Sequence, residues 1–227
     1  MKSKFTEWDV GYFNNVAGRN ELPKRSISQR LISWELDDNY YDGSRDVGYG
    51  GFTNDGRWDN LVLKMIDHFS ISSSGTIIDL GCKKGFILKS FKKHLPRANL
   101  MGIENHPYPI QSAEIDIAPY LRLGSLFEIP CHDNSVSFLI SFSAIYMQNL
   151  GDVVKTLREI MRVSNGRSYI TVGAYSDELE RAAFLDWTLI GTTVLSKDEW
   201  SQVFDYAGYT GSVFFTTPTV LGLTPQK

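Results

Sequence analysis

Two acidic residues and two glycines carry the clearest chemical signal in the sequence. Asp79 closes a short apolar run and is followed by Gly81 and Gly85, and Glu104 closes the next apolar run. A glycine-bearing turn after a strand lets a ligand approach the backbone and points helix amides at a negative group. Because the carboxyl ends of parallel strands open on one crevice, the second carboxylate is placed to accept hydrogen bonds from a ribose diol. The spacing therefore predicts a site for a nucleoside-containing cofactor.

The loop between Asp79 and Gly85 separates two classes of such cofactor. A dinucleotide fingerprint requires the pattern G-x-G-x-x-G, and this loop provides only Gly81 and Gly85. An acid two positions before the first glycine instead suits a cofactor with a positive end, such as the methionine amine of S-adenosylmethionine. A nicotinamide-dependent oxidoreductase is therefore disfavoured. The structural alternative is that the glycines merely permit a tight turn and that Glu104 is a solvated strand end.

The elements that must position these residues follow from the apolar periodicity. Short β-branched or apolar runs predict strands at 76–80, 99–104, 120–124, 136–142, 168–174 and 211–216. Apolar residues at helical spacing predict helices at 58–69, 86–95, 110–117 and 153–161, and a capping box at Ser196 and Glu199 predicts another that runs to Gly208. Strands that alternate with amphipathic helices imply an α/β fold with a parallel sheet covered on both sides.

Several segments then match one family in order and spacing. Asp79-Leu80-Gly81-Cys82 with Gly85 resembles the first motif of the class I, Rossmann-like S-adenosylmethionine-dependent methyltransferases. Segments 124–136, 156–166 and 196–209 are similar to later parts of the same family. The resemblance implies a doubly wound, mostly parallel seven-stranded sheet whose final strand inserts as a hairpin. It also implies S-adenosylmethionine as the cofactor.

The family's cofactor contacts transfer onto four loops of this chain. They are Asp79, Gly81, Cys82 and Gly85 at the methionine end, Glu104 at the ribose, Ser125 and Leu126 at the adenine, and Ser141, Phe142 and Ser143 beside the transferred methyl group. Cys82 reads as a small packing residue of its loop and not as a nucleophile.

The residues before the sheet are rich in tyrosine and glycine and have no sustained apolar period. Segment 40–58 resembles the entry segment of a methyltransferase type 11-like bacterial subgroup, which is associated with polysaccharide and small-metabolite modification. In that case Tyr41 and Arg57 would help to close a lid over the cofactor. The alternative is a surface loop. We expect a lid at 1–57, the cofactor-binding domain at 58–216 and a tail at 217–227.

Two positions depart from the family pattern. Lys83 stands where a glycine is usual, and Ser125 stands where an acid is usual. A lysine beside a sulfonium brings like charges together unless it points to solvent or meets the cofactor carboxylate. A serine hydroxyl accepts the adenine amino hydrogen bond more weakly than a carboxylate does. A catalytically silent relative that binds a partner through the amino-terminal segment therefore stays open.

Methyl transfer to a hydroxyl also needs a proton acceptor. His106, Asp55 and Tyr146 are the candidates near the predicted crevice. Each has a structural alternative, since His106 precedes a proline in a loop and Tyr146 suits the edge of the core. The acceptor is expected to be a small polar molecule, with the oxygen of a sugar or polysaccharide precursor ahead of carbon or nitrogen of a small metabolite.

The composition narrows the partners and the setting. The formal charge of −3 argues against an extended basic surface for nucleic acid. Two cysteines, Cys82 and Cys131, form neither a disulfide framework nor a zinc site, so we expect no metal and a reduced, cytoplasmic setting. The first ten residues lack the apolar run of an export signal. The most apolar stretch, 136–147, is shorter than the roughly 20 residues that cross a bilayer. The oligomeric state is not predicted.

Overall fold

A parallel sheet organises residues 4–12, 24–48 and 50–223, which the computed structural model describes. The strands are β1 Thr6–Glu7, β2 Thr76–Leu80, β3 Asn99–Glu104, β4 Leu121–Leu123, β5 Phe138–Ser141, β6 Ser168–Tyr175, β7 Leu195–Ser196 and β8 Ser212–Thr216. The α-helices are α1 Ile27–Trp34, α2 Asp38–Tyr41, α3 Arg57–His68, α4 Phe86–His94, α5 Pro107–Gln111, α6 Leu150–Ser164, α7 Glu178–Trp187, α8 Lys197–Ala207 and α9 Pro218–Leu221. Short 3₁₀ turns occupy Ala118–Tyr120 and Ile145–Met147.

The strand order along the sheet is β1-β8-β6-β5-β2-β3-β4, and β7 pairs with the end of β6. Every pairing between these strands is parallel. The central strands β2, β5 and β6 are almost completely buried, as their continuous apolar sequences require in a sheet covered on both faces. The chain order reverses at β2, which lies between β3 and β5. The predicted doubly wound α/β fold is confirmed, and this switch point is where such sheets bind ligands.

Two details of the prediction are wrong. The final strand, β8, does not insert as an antiparallel hairpin but lies parallel to β6, because the intervening helix α8 carries the chain back to the start of the sheet. The seventh strand on the path is instead β1, from the amino-terminal region. The helix predicted at 110–117 is also misplaced. Pro107 starts α5 early, at the first helical position that proline favours, and α5 ends at Gln111.

Two of the helices that flank the sheet have clear capping residues. Helix α8 has the complete capping box, in which the Glu199 amide donates to Ser196 Oγ and the Ser196 amide donates to a Glu199 carboxylate oxygen. Helix α6 ends at Asn165, which adopts the left-handed conformation with φ of 49°. In α3 the predicted apolar stripe faces the core. These helices fix the strands whose carboxyl ends carry the candidate site.

The amino-terminal region packs against the carboxyl edge of the sheet. Tyr40 and Tyr41 are buried and form a small cluster with Ile190, which follows α7. Parts of the predicted lid, 1–57, and of the predicted tail, 217–227, lie outside the described residues. Among the helices that the structure describes, none has both the length and the apolar character needed to span a membrane.

Candidate functional site

A cavity of about 280 Å³ lies at the carboxyl ends of β2 and β5. One side, the loop wall, is formed by lining residues in 79–83 and 142–143. The facing residues come from the amino-terminal wall, defined as the lining residues in 12–53, and from 187–190 after α7. The volume is close to the lower end of the range for small-molecule sites. The amino-terminal region and the segment 187–190 therefore both contribute to this cavity.

Asp79 is the buried acid of the cavity. It is only 1% exposed, and its Oδ2 atom has no hydrogen-bond partner among the described residues. Burial raises the pKa of the carboxyl group to about 7, with an opposing effect from Lys83 and a further increase from Glu104. A buried acceptor without a donor costs free energy, so the site is suited to a ligand that supplies a positive donor.

The glycines after Asp79 allow the tight, closely packed turn of the loop. Gly81 has φ of 76°, and a Cβ atom there would lie 2.2 Å from the Ala144 side chain. Gly85 has φ of 77° and precedes α4, where a Cβ atom would meet Leu121 at 2.9 Å. Both positions therefore require glycine for conformation and for space. Gly81 lines the cavity, whereas Gly85 shapes the turn into the helix.

Glu104 accepts hydrogen bonds at both carboxylate oxygens, whereas Asp79 Oδ2 accepts none from the described residues. Its carboxylate accepts from the Lys83 amide at 2.9 Å, from the Asn105 amide at 2.9 Å and from the His106 amide at 3.1 Å. It is 4% exposed. The side chain therefore ties the end of β3 to the loop after β2, and a carboxylate retains further lone pairs for a ligand hydroxyl.

Lys83 adopts a backbone conformation that normally favours glycine, with φ of 54°. Its Nζ atom donates to the Phe142 carbonyl at 3.0 Å, so the side chain crosses from the loop after β2 to the loop after β5. The ammonium group also faces the Asp79 carboxylate closely enough to oppose the increase in its pKa. The residue that replaces the family's usual glycine thus holds the two parts of the loop wall together.

The residues expected at the adenine lie on a second groove. Ser125 and Leu126 line it together with Asn105, which directly follows Glu104. Ser125 Oγ accepts from the Phe127 amide at 3.2 Å, which fixes the turn after β4. Trp34, at the end of α1, also lines this groove and is 48% exposed. The two predicted ends of the cofactor therefore fall on two depressions that share Met147 as a lining residue, while Glu104 is in neither described lining.

Of the residues expected near the transferred methyl group or as proton acceptors, some line the cavity and others do not. Phe142, Ser143 and Tyr146 line the cavity, whereas Ser141 is fully buried and donates to the Leu80 carbonyl at 2.8 Å. His106 lies outside the described lining, at the residue that precedes α5.

Asp55 also lies outside the described lining and is exposed, in an ion pair with Arg57. The hydrogen bonds from Arg57 lower the pKa of the Asp55 carboxyl group to about 2.

The remaining predicted residues are placed as follows. Arg57 and Cys82 line the cavity, and burial raises the pKa of the Cys82 thiol, which favours the neutral, packing role. Tyr41 does not reach the described lining but packs behind it, and its neighbour Tyr40 lines the cavity instead. No group of three or more His, Cys, Asp or Glu residues in the described part of the chain is arranged to hold a metal ion.

The sequence did not indicate several residues of the amino-terminal wall. Arg25 and Arg45 line the cavity, although no motif surrounds them. Lys84, directly after Lys83, is buried, and its Nζ atom contacts Asp42 Oδ1 at 2.5 Å. Their role depends on contacts between distant parts of the chain, which a local pattern does not reveal.

A doubly wound sheet with an acidic, glycine-containing site at its strand ends is typical of α/β enzymes that bind a nucleoside-containing cofactor. A family model described as a methyltransferase domain matches residues 71–208. The chain therefore belongs to the class I S-adenosylmethionine-dependent methyltransferase family, as predicted. This finding favours S-adenosylmethionine over the nicotinamide-dependent alternative. The bacterial subgroup stays a prediction.

Individual relatives are distant. The chain is 25% identical to an uncharacterized methyltransferase of Schizosaccharomyces pombe over 44% of this chain and 40% of that protein. A Haloferax volcanii methyltransferase, solved with the Trm112 methyltransferase activator, is 24% identical with a TM-score of 0.51, over 68% of this chain and 73% of that one. The Bacillus subtilis YcgJ protein is 17% identical with a TM-score of 0.52, over 64% and 66%. At this identity the solved structures demonstrate a shared fold only.

Proposed function

We propose that the loop wall binds the methionine end of S-adenosylmethionine and that the cavity holds a small polar acceptor, most simply a sugar hydroxyl. The observation that carries this proposal is the buried, unpartnered Oδ2 atom of Asp79 beside Gly81. An ammonium group would satisfy that oxygen and stabilise its charged form. Gly81 lines the same cavity, and its lack of a side chain lets the loop pack against Ala144.

The other residues divide the binding of the cofactor. Glu104 holds the loop through three backbone amides, and about one of the roughly four acceptor sites of its carboxylate would be left for a ribose hydroxyl. Ser125 and Leu126 would meet the adenine on the second groove. When bound, the cofactor would supply a methyl group on a sulfonium, with a neutral thioether as the leaving group. Alignment of the acceptor with that methyl group is then the main task of the protein.

Tyr146 is the best placed of the three candidate proton acceptors. It lines the cavity next to Phe142 and Ser143, which follow β5. Asp55 is a weaker candidate, because a carboxyl group with a pKa of about 2 has little affinity for a proton. His106 uses its backbone amide to support Glu104, outside the described lining.

The walls of the cavity favour a polar ring as the acceptor. Tyr12 stacks on Trp58 with ring centroids 4.9 Å apart, and Tyr12 also meets Phe142 edge-on. Tyr40 and Trp187 add further rings to the lining. Aromatic faces beside hydroxyl and guanidinium groups suit a sugar, which has both apolar and polar faces. This is the support for an oxygen acceptor over a carbon or nitrogen acceptor.

Calorimetric titration tests the cofactor part of this proposal. We expect S-adenosylmethionine and S-adenosylhomocysteine to bind with one site per chain, and NAD not to bind. If neither adenosyl ligand binds at millimolar concentration, the proposal fails and a catalytically silent relative is favoured. Transfer of a labelled methyl group to sugars, compared with amines and carbon acids, then tests the atom that is methylated.

A further inference from the structure

Arg25 is a buried cation on the wall of the cavity. It is 5% exposed, and its Nε atom has no hydrogen-bond partner among the described residues. Its backbone amide donates to the Asp186 carbonyl at 2.9 Å, and its Nη1 atom donates to the Asp46 carbonyl at 3.1 Å. Both of these partners are backbone carbonyls. The side chain is therefore held firmly in place, while its charge lacks a direct carboxylate partner within the described part of the chain.

Arg45 adds a second cation to the same wall. It lines the cavity and is exposed, and no ion pair of Arg45 occurs among the described residues. Burial lowers the pKa of Arg25, and the charges of Arg45 and Arg30 lower it further, while Asp46 opposes them. The amino-terminal wall thus concentrates positive charge around a guanidinium group that has been removed from water. An anion at this point would satisfy the orphaned Nε atom and relieve the repulsion.

The charged residues that line the cavity also favour an anionic ligand. Its described lining contains four cations, Arg25, Arg45, Arg57 and Lys83, and one acid, Asp79. Arg57 is paired with an aspartate outside the lining, and Lys83 faces Asp79. Because S-adenosylmethionine itself carries a net positive charge, binding it does not balance the remaining two arginines. A negative group on the other ligand would.

We propose that Arg25 and Arg45 form an oxyanion subsite and that the methyl acceptor carries a phosphate or carboxylate group bound there. The statement that the bound anion belongs to a methyl acceptor rests on the proposed function, but the existence of the anion-binding subsite does not. The planar guanidinium group of arginine is well suited to donate hydrogen bonds to two oxygens of one anion. The subsite narrows the class of acceptor proposed above. We expect the substrate to be a sugar phosphate, a sugar acid or another anionic metabolite, and we expect a neutral sugar to be a poor substrate.

The cofactor carboxylate is the competing occupant of this subsite. The loop wall has another cation close by in Arg57, because the adjacent Trp58 contacts Phe142 of that wall. Arg25 is instead anchored to Asp186 at the end of α7. The attachment of Arg25 therefore favours the acceptor over the cofactor.

Titration with simple anions tests the subsite directly. The protein, alone and loaded with S-adenosylhomocysteine, is titrated with inorganic phosphate and separately with acetate at constant ionic strength, with tryptophan fluorescence as the signal. We expect saturable binding of at least one anion, weakened about tenfold or more in Arg25→Gln and in Arg45→Gln. The affinity for S-adenosylhomocysteine should change less than about twofold. Arg97→Gln, an exposed arginine next to Ser73, is the matched control and should change neither.

The outcomes separate the explanations. Preference for phosphate or for acetate identifies the anionic group, and either supports the subsite. No saturable binding of either anion would overturn it, as would an equal loss of S-adenosylhomocysteine affinity in Arg25→Gln and Arg45→Gln. If Arg25→Gln does not fold, the exposed Arg45→Gln still decides the question. Anion binding without any binding of the adenosyl ligands would instead refute the proposed function and leave the subsite standing.

Discussion

The two walls of the cavity are built in different ways. The loop wall stands on the ends of β2 and β5, and its residues are held mainly by backbone contacts, such as the Gly81 amide donating to the Ile103 carbonyl at 2.8 Å. The amino-terminal wall consists of short helices and turns that side chains attach to the sheet. One such attachment is Asp42, which accepts from Lys84 at 2.5 Å and from the Tyr108 hydroxyl at 2.6 Å.

This difference suggests a division of labour between the walls. A wall made of strand ends has little freedom, because any shift would disturb the register of a buried parallel sheet. That rigidity suits the binding of one fixed cofactor. A wall made of turns and side-chain contacts can be changed without disturbing the sheet, which suits selection of the acceptor. Substitutions that weaken one wall and spare the other therefore test the division.

The largest effect is expected from Asp79→Asn in the loop wall. The amide cannot offer a charged partner to an ammonium group, so we expect S-adenosylmethionine affinity to fall about a hundredfold or more. The pKa of Asp79 is raised from its unfolded value of 3.8 to about 7, so folding favours the protonated acid. The free energy of unfolding is then highest at acid pH and falls as the pH rises towards 7.

Stability and binding should therefore move in opposite directions in Asp79→Asn. At pH 8 the variant avoids the cost of a buried charge, about 4 kcal/mol for a shift from 3.8 to about 7, and should unfold at a higher temperature than the wild type. Near pH 3, where Asp79 is protonated in most folded and unfolded molecules alike, the two proteins should be nearly equal. Wild-type affinity for S-adenosylmethionine should rise between pH 6 and 8 as Asp79 ionises, and the variant should lack this dependence. Calorimetry and thermal unfolding at each pH measure both, and unchanged affinity in Asp79→Asn would contradict the assignment.

An intermediate effect is expected where the two walls join. Asp42→Asn leaves the buried Lys84 ammonium without its carboxylate, and because the Asp42 side chain is 36% exposed we expect a loss of about 1–2 kcal/mol. Burial raises the pKa of Asp42, but the hydrogen bonds from Lys84 and Tyr108 and the charge of Lys84 lower it overall. The contribution is therefore present above the unfolded pKa near 4 and is lost as the pH falls below it.

Urea unfolding at pH 7 and at pH 3 measures this contribution. The difference between Asp42→Asn and the wild type should shrink at pH 3, because part of the stabilisation that accompanies the lowered Asp42 pKa is lost below the unfolded pKa. The double variant Asp42→Asn with Lys84→Met is the control, since it removes the stranded charge and should recover part of the stability. S-adenosylhomocysteine affinity should change less than acceptor affinity in Asp42→Asn. Equal losses of both would mean that the walls are not independent.

The sequence predicted the loop wall far better than the amino-terminal wall, and the reason is physical. The motif around Asp79 and Gly81 is local, because strand, turn and helix follow one another within a few residues and each has its own signal. The bounds of β2 and β3 were predicted residue for residue. The parallel position of β8 was missed, because the sheet order depends on packing of distant elements, and no local pattern records it.

The amino-terminal wall depends on residues far apart in the chain. Arg25 is held by Asp186, and Asp42 is held by Lys84, so neither pair has a characteristic spacing. Tyrosine and glycine content indicated that this region contributes to the site but did not indicate which residues line it. Tyr41 was predicted at the cavity, but its neighbour Tyr40 lines it instead, because adjacent residues of a helix point in different directions.

The smallest effect is expected from Lys83→Gly in the loop wall. Glycine adopts the positive φ of this position without strain, which offsets the loss of the bond from Nζ to the Phe142 carbonyl, so stability should change by less than about 1 kcal/mol. Removing a cation near a positively charged cofactor should leave S-adenosylmethionine affinity unchanged or tighten it up to about fivefold. Lys83→Met, which removes the charge but keeps the strained φ, separates the two contributions in the same calorimetric titration. A loss of more than about tenfold in both variants would instead show that Lys83 pairs with the cofactor carboxylate, and the loop wall would then bind both ends of the methionine group.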